Sequence, residues 1–196
     1  LAEKSGRILD IDRWVIREVL RMLSINSAMP PIAINLSGRS LSEPDLPQFI
    51  GDELRASGVN PSRLIVEITE TVAIQDIDDV RGFVTRLKNF GSQIAIDDFG
   101  AGYTSFRNLR KLGVDIVKID GAFVQNIARS ADDRAFVQTL IDLARRLQIK
   151  TVAEWVQDEE AAAMLREWGC DYIQGRLIGL ASPQRPWSTA AATKLP

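Results

Sequence analysis

The chain has 196 residues, 45% hydrophobic and 26% charged, with 24 Lys and Arg against 26 Asp and Glu for a net charge of −2. That is the composition of one globular domain with a full core, too apolar for a disordered chain and too poor in excess positive charge to be a binder of DNA or RNA polymer. Histidine is absent and Cys170 is the single cysteine, which excludes His-ligated zinc, histidine bases and an internal disulfide and leaves oxygen-ligated magnesium, manganese or calcium as the metals to consider.

Ile8, Ile11, Val15, Val19 and Leu23 recur at helical spacing and predict a first helix over 8–23. Pro30 and Pro31 break it and lead into a strand at 32–36. Further strands are predicted at 64–68, 93–97, 116–119, 151–154 and 172–174. Amphipathic helices lie between them, carried by Val80, Phe83, Val84, Leu87 and Phe90, by Phe136, Val137, Leu140, Ile141, Ala144 and Leu147, and by Ala161, Met164, Leu165 and Trp168. Trp14 and Trp168 sit at the spacing of helix core positions, and Cys170 reads as a packed apolar residue. Residues 184–196 read as a tail or linker after a domain spanning 1–183. No apolar run reaches the ~18–20 residues of a membrane span and no signal-peptide pattern opens the chain. With one cysteine, the expected compartment is the reducing cytoplasm, any membrane anchor lying outside these residues.

The strands are near-continuous apolar runs, as in a parallel sheet buried on both faces, so the chain is α/β. An open doubly wound sheet and a closed (β/α)8 TIM-like barrel both fit that alternation. Asn35, Glu67, Asp97, Lys118, Glu154 and Gln174 stand at the ends of successive strands. An open sheet gathers its functional groups at one switch point, whereas a barrel brings every strand end to one mouth. The barrel is therefore expected. At roughly 28 residues per unit, eight units need on the order of 220 residues, so the barrel is expected to be incomplete, with about six of eight strands and the first two missing.

Asp97 and Asp98 are adjacent at a strand end before Gly100 and Gly102. Adjacent side chains on a strand point apart, so both reach one mouth only where the strand ends and turns. Such a pair is either a helix cap or Asx turn, or a site where metal ions relieve carboxylate repulsion. Glu67 and Glu154 lie in apolar runs, where ion pairs with Lys118 would satisfy one of them. Four carboxylates at one mouth exceed what one lysine balances, and divalent cations supply the rest, with Asn35 as a neutral oxygen ligand. Gln174 either binds a ligand or ends a strand. Glu70, three residues after Glu67, either caps a helix or anchors the 98–105 loop.

Taken together, Asn35-Leu36-Ser37, Glu67-Ile68-Thr69-Glu70, Asp97-Asp98-Phe99-Gly100-Ala101-Gly102-Tyr103-Thr104-Ser105, Lys118-Ile119-Asp120, Ala153-Glu154 and Gln174-Gly175 resemble the EAL-domain family of bacterial cyclic-di-GMP phosphodiesterases in order and spacing. The resemblance implies a TIM-like barrel that hydrolyses cyclic-di-GMP to linear pGpG with two Mg2+ or Mn2+ ions. Asn35, Glu67 and Asp97 would hold one ion and Asp97, Asp98 and Glu154 the other. Lys118 would hold or activate the attacking water, with Lys118 and Glu154 the catalytic pair. Gln174 would contact substrate and Glu70 would anchor the loop. A homodimer, and an upstream sensor or diguanylate-cyclase-like domain, are also implied.

The chain departs from the family pattern in several places. The Glu-Ala-Leu strand itself, with its glutamate, is not among these residues. Ala153-Glu154-Trp155-Val156-Gln157 stands where the family usually reads Ala-Glu-Gly-Val-Glu. Gly121 replaces a usual basic residue, and Arg176 a usual aromatic. These changes keep two further readings open: a receptor that binds the nucleotide without cutting it, and an interaction module. An enolase-type barrel also places acidic ligands and a lysine at strand ends, but the Asp97-Asp98 pair fits two-metal phosphoryl chemistry better.

Overall fold

The computed structural model describes residues 7–75, 77–100 and 106–182. The chain runs α1 (Ile8–Ile25), β1 (Ile32–Asn35), α2 (Gly38–Leu41), α3 (Leu46–Ser57), a 3-10 turn (Pro61–Arg63), β2 (Leu64–Thr69), α4 (Glu70–Gln75) and α5 (Ile77–Phe90). It continues through β3 (Gln93–Phe99), α6 (Phe106–Leu112), β4 (Ile116–Ile119), α7 (Gly121–Val124), α8 (Ala131–Arg146), β5 (Lys150–Ala153), α9 (Glu159–Trp168) and β6 (Tyr172–Ile173). The segment 184–196, expected to be a tail, lies outside the described residues. Among those residues no helix is long and apolar enough to cross a membrane.

The six strands pair in parallel in strict sequence order. A doubly wound sheet reverses direction partway, and this one never does. The result is a curled, incomplete barrel whose helices pack outside it. Ile34, Val66, Ile68, Ile94, Ile96, Val117 and Ile119 face outward and are buried under the helices. On the inner face each strand switches from apolar to polar as it nears its C-terminal end. Ala33 precedes Asn35 by two residues, Ile65 precedes Glu67, Ala95 precedes Asp97, Ile116 precedes Lys118, Val152 precedes Glu154 and Tyr172 precedes Gln174. A period of two keeps each pair on one face, so the polar members all rise at the same mouth. The concave face below them encloses about 430 Å3.

The opposite ends of the strands are clamped by two aspartates in matching positions. Asp115, just before β4, accepts from the Ile94 backbone N–H at 2.9 Å and pairs with Lys88 at 2.7 Å. Asp171, just before β6, accepts from the Thr151 N–H at 2.9 Å. Arg63 closes the far end of α1, donating to the carbonyls of Leu23, Asn26 and Met29 at 2.8–2.9 Å. A cation there satisfies orphan carbonyls and complements the helix dipole.

Several expected boundaries move. Helix α1 runs on to Ile25, β2 extends to Thr69, β3 extends to Phe99, and β5 is Lys150–Ala153, leaving Glu154 just beyond it. The expected core role of Trp14 is incorrect, because it is 65% exposed. The buried stripe of α1 is Asp12, Ile16, Val19, Leu20 and Leu23. At about 100° per residue Trp14 falls on the far side of that stripe. Trp168 does pack against the core, as does Cys170, partly buried.

Candidate metal centre

The site begins with a defect in β3. Its pairing with β4 is regular through Ile96 and resumes at Phe99 with a register shift. Between them Asp98 takes a left-handed backbone, φ 54°. Aspartate is among the few side chains that tolerate this conformation. The strand was expected to stop at Asp97 and turn on its glycines. Instead it continues, and Asp98 itself makes the bulge that lets neighbouring carboxylates approach one point. Ligand atoms of Asp97, Asp98 and Glu154 lie within 4.8 Å of one another.

Lys118 stands at the centre of the buried part. Its Nζ is 2.7 Å from Asp97 Oδ1, 2.9 Å from Glu154 Oε1 and 3.0 Å from Glu67 Oε2. Lys118 therefore pairs with both Glu67 and Glu154, not with one of them alone. One positive charge serves three carboxylates, with Asp98 beside them, so the cluster retains a negative excess. Burial pulls the Lys118 pKa down, but hydrogen bonds to Asp97 and Glu154 and the charge of Glu67 outweigh it and raise it above the ordinary lysine value. Glu154 is pushed up, by burial first and then by Asp97 and Asp98, against the pull of Lys118. Asp98 is also pushed up, by burial and then by Asp97 and Asp120. Oxygen-only donors, partly desolvated and under-neutralised, suit a hard divalent cation such as Mg2+ or Mn2+.

The other expected site residues surround this cluster. Asn35 ends β1, directly beside Glu67 in the register, and is exposed. Glu67 stands outside the tight carboxylate triad and reaches it through Lys118. Gln174 faces the concave surface. Its backbone also prolongs the β5–β6 pairing, its N–H donating to Ala153 O at 2.8 Å and its carbonyl accepting from Val156 N at 3.0 Å. Glu70, buried at the start of α4, accepts from the Gly100 N–H at 2.9 Å. Gly100 has φ 107°, a conformation open to glycine. Glu70 is thus hydrogen-bonded to Gly100, the last described residue before 101–105, on which the rest of the expected anchoring falls and which lie outside the described residues.

Asp12 was missed. It is buried, and its Oδ2 accepts from the Ser37 N–H at 3.2 Å, the Ser37 hydroxyl at 2.9 Å and the Ser40 hydroxyl. It thereby ties α1 to the segment immediately after Asn35. The available signal was a lone acid one helical turn before Ile16, on the apolar stripe.

Comparison with known proteins identifies the family and the fold. The model of the EAL domain matches residues 1–181. The chain is 38% identical over 197 residues to cyclic di-GMP phosphodiesterase PdeB of Shewanella oneidensis, covering 99% of this chain and 23% of that protein. It is 36% identical over 187 residues to the bifunctional diguanylate cyclase/cyclic di-GMP phosphodiesterase MucR of Pseudomonas aeruginosa, covering 93% and 27% respectively. Among solved structures it superposes on the PaMucR phosphodiesterase in complex with c-di-GMP with a TM-score of 0.86 at 36% identity, over 92% of this chain and 74% of that one. The FimX EAL domain from Pseudomonas aeruginosa bound to c-di-GMP gives 0.84 at 29% identity, over 89% and 71%. The chain spans about a quarter of the length of the curated relatives it matches.

Proposed function

The chain belongs to the EAL domain family, and from that membership we propose that it is the hydrolytic portion of a phosphodiesterase that opens cyclic-di-GMP to linear pGpG. The observation that carries the reading is the convergence of Asp97, Asp98 and Glu154 within 4.8 Å around a lysine that cannot balance them. Two Mg2+ or Mn2+ ions fit this donor set. Asn35, Glu67 and Asp97 would hold one, and Asp97, Asp98 and Glu154 the other. Bound there, such ions act as Lewis acids toward the phosphate and its attacking water.

The chain's own groups do the positioning. Lys118, fixed by three carboxylates, presents a rigid cation beside the phosphodiester, where it orients water and stabilises developing negative charge. Water adds to phosphorus as the bond to the 3′-oxygen breaks, leaving a 3′-hydroxyl and a 5′-phosphate. Gln174 positions the dinucleotide, and Glu70 holds the segment after Asp98 in place. The protein acts in the cytoplasm as a homodimer, with a sensor or diguanylate-cyclase-like domain upstream. The isolated 196 residues turn over weakly, because Asn35 and Gln174 lie on or just past the two open edge strands.

The test is pGpG release from cyclic-di-GMP in Mn2+ or Mg2+ by the longest native polypeptide containing this chain, with Asp97→Asn as the control. Cleavage by the wild type and none by the variant is expected. Tight nucleotide binding without cleavage would instead establish the receptor reading, which the exposed, uncharged Gln157 favours. Failure to bind the nucleotide at all would leave only the interaction module.

A further inference from the structure

We infer that the indole of Trp155 is the stacking platform for one guanine base of the dinucleotide, an inference that rests on the reading of the site as a cyclic-di-GMP site. Trp155 directly follows Glu154 of the carboxylate triad. Its backbone is left-handed, φ 54°, a conformation a bulky side chain rarely takes unless its surroundings impose it. Two neighbours impose it here.

From behind, Gly175 presses on the same backbone. A Cβ at position 175 would fall 2.3 Å from the Val156 carbonyl oxygen and 2.9 Å from the Trp155 carbonyl carbon. The Val156 N–H is tied to Gln174 O at 3.0 Å. From the side, the indole lies against the backbone of Gly121. A Cβ at position 121 would meet the indole Cγ at 2.1 Å and Cδ2 at 2.2 Å, so no residue but glycine leaves room for the ring in this position. Gly121 follows Asp120, which raises the Asp98 carboxyl electrostatically. The ring thus rests on the neighbour of Asp120 and belongs to the residue that directly follows Glu154 of the cluster.

Despite this fixing, Trp155 remains 52% exposed. A rigid indole with free surface, held at a strained backbone angle next to groups suited to a phosphate-bound cation, is what a nucleobase needs. Stacking on a fixed aromatic ring loses little conformational freedom, and every purine has a face to offer. Core packing does not explain the arrangement, since a packing role would bury the ring. Glycine at this position would remove the strain altogether.

The test compares wild type, Trp155→Gly, Trp155→Ala and Trp155→Phe in the longest native polypeptide containing this chain. The measurement is KM and kcat for cyclic-di-GMP in Mn2+, or Kd if the nucleotide is bound without being cut. Trp155→Gly keeps the backbone angle and so keeps the fold, which thermal melts verify. The expected result is a rise of at least about five-fold in KM or Kd for the Gly and Ala variants, kcat nearly unchanged, and recovery of most of the loss in Trp155→Phe. If wild type and Trp155→Gly handle cyclic-di-GMP with equal KM or Kd, the platform is wrong while the phosphodiesterase reading stands. If the wild type neither binds nor cleaves cyclic-di-GMP, that reading is wrong and the platform falls with it.

Discussion

Glu70 Oε2 accepts the backbone N–H of Gly100 at 2.9 Å, linking the first residue of α4 to the turn two residues beyond Asp98. The bond crosses from the end of β2 to the end of β3, so it fixes where the acidic pair leaves its strand. Glu70→Ala strands a partly buried N–H, at a cost of about 1 kcal/mol of stability. Mn2+ affinity is expected to fall roughly ten-fold, as it does when a group supporting a ligand is lost. Glu70→Gln retains an acceptor oxygen and most of both properties. Urea unfolding and Mn2+ titration of the two variants check this, and wild-type Mn2+ affinity in Glu70→Ala would contradict it.

Lys118→Met removes the only cation that contacts Glu67, Asp97 and Glu154 among the described groups. Breaking one partner out of a buried ion cluster leaves uncompensated charge and is expected to cost about 3–5 kcal/mol without metal. Divalent ions should restore part of that loss by taking over the neutralisation. Unfolding curves in EDTA and in Mg2+ give the comparison, and a variant as stable as wild type in EDTA would refute the electrostatic account.

Asp98→Asn separates function from stability. Asparagine tolerates the φ of 54° at this position. The charge removed is one that burial, Asp97 and Asp120 already disfavour. Metal-free stability is therefore expected to hold or rise, while pGpG release falls by roughly two orders of magnitude or more for want of a ligand. A melt and an activity assay on one preparation settle it; a large loss of metal-free stability would count against the proposed repulsion.

Asp12→Ala leaves the Ser37 N–H and two hydroxyls without their shared acceptor. The expected loss is about 2–4 kcal/mol, with Asp12→Asn recovering part of it. Chemical denaturation measures this, and a loss within ~0.5 kcal/mol, the range of ordinary surface changes, would show the network to be dispensable.

Cys170 supplies the pH dependence. Burial raises its thiol pKa, against hydrogen bonding with Thr151 and with the backbone of Tyr172 and Ala153. The folded state therefore holds the thiol proton more tightly than the unfolded chain does. Its contribution to stability is whole below the ordinary thiol value of 9.0 and is lost as pH rises through the folded pKa. Melting temperature should fall more steeply with alkaline pH in wild type than in Cys170→Ala, and the thiol should alkylate slowly at neutral pH. Parallel pH profiles for the two proteins would exclude this contribution.

Much of the fold was legible because it is written in local periods. Ile94 and Ile96 against Ala95 and Asp97 announce a strand with one face under helices and one face inside, without reference to any other part of the chain. The recurrence of a polar residue at each strand end then identified the mouth, since only a barrel gives all of those ends a common place. Trp14 was misread because two overlapping stripes on α1 satisfy the same helical spacing. Only the packing of α1 onto its neighbours selects the one through Ile16 and Leu20. Helix α3 escaped prediction although Leu46, Ile50 and Leu54 fall one turn apart, because it lies in a stretch broken by Pro44 and Pro47.

Element type, strand order, the oxygen-only donor set and the family pattern were properties of the amino-acid string, since each depends on residues near one another along the chain or on simple count. Which oxygens come within reach of one ion was not. That depends on the register between β3 and β4, on the left-handed turn at Asp98, and on a lysine from β4 shared by acids from three other strand ends. The seating of Trp155 on Gly121 joins residues 34 positions apart. Separations across a curled sheet are set by twist, bulges and packing summed over the whole fold, and no local window of sequence contains that sum.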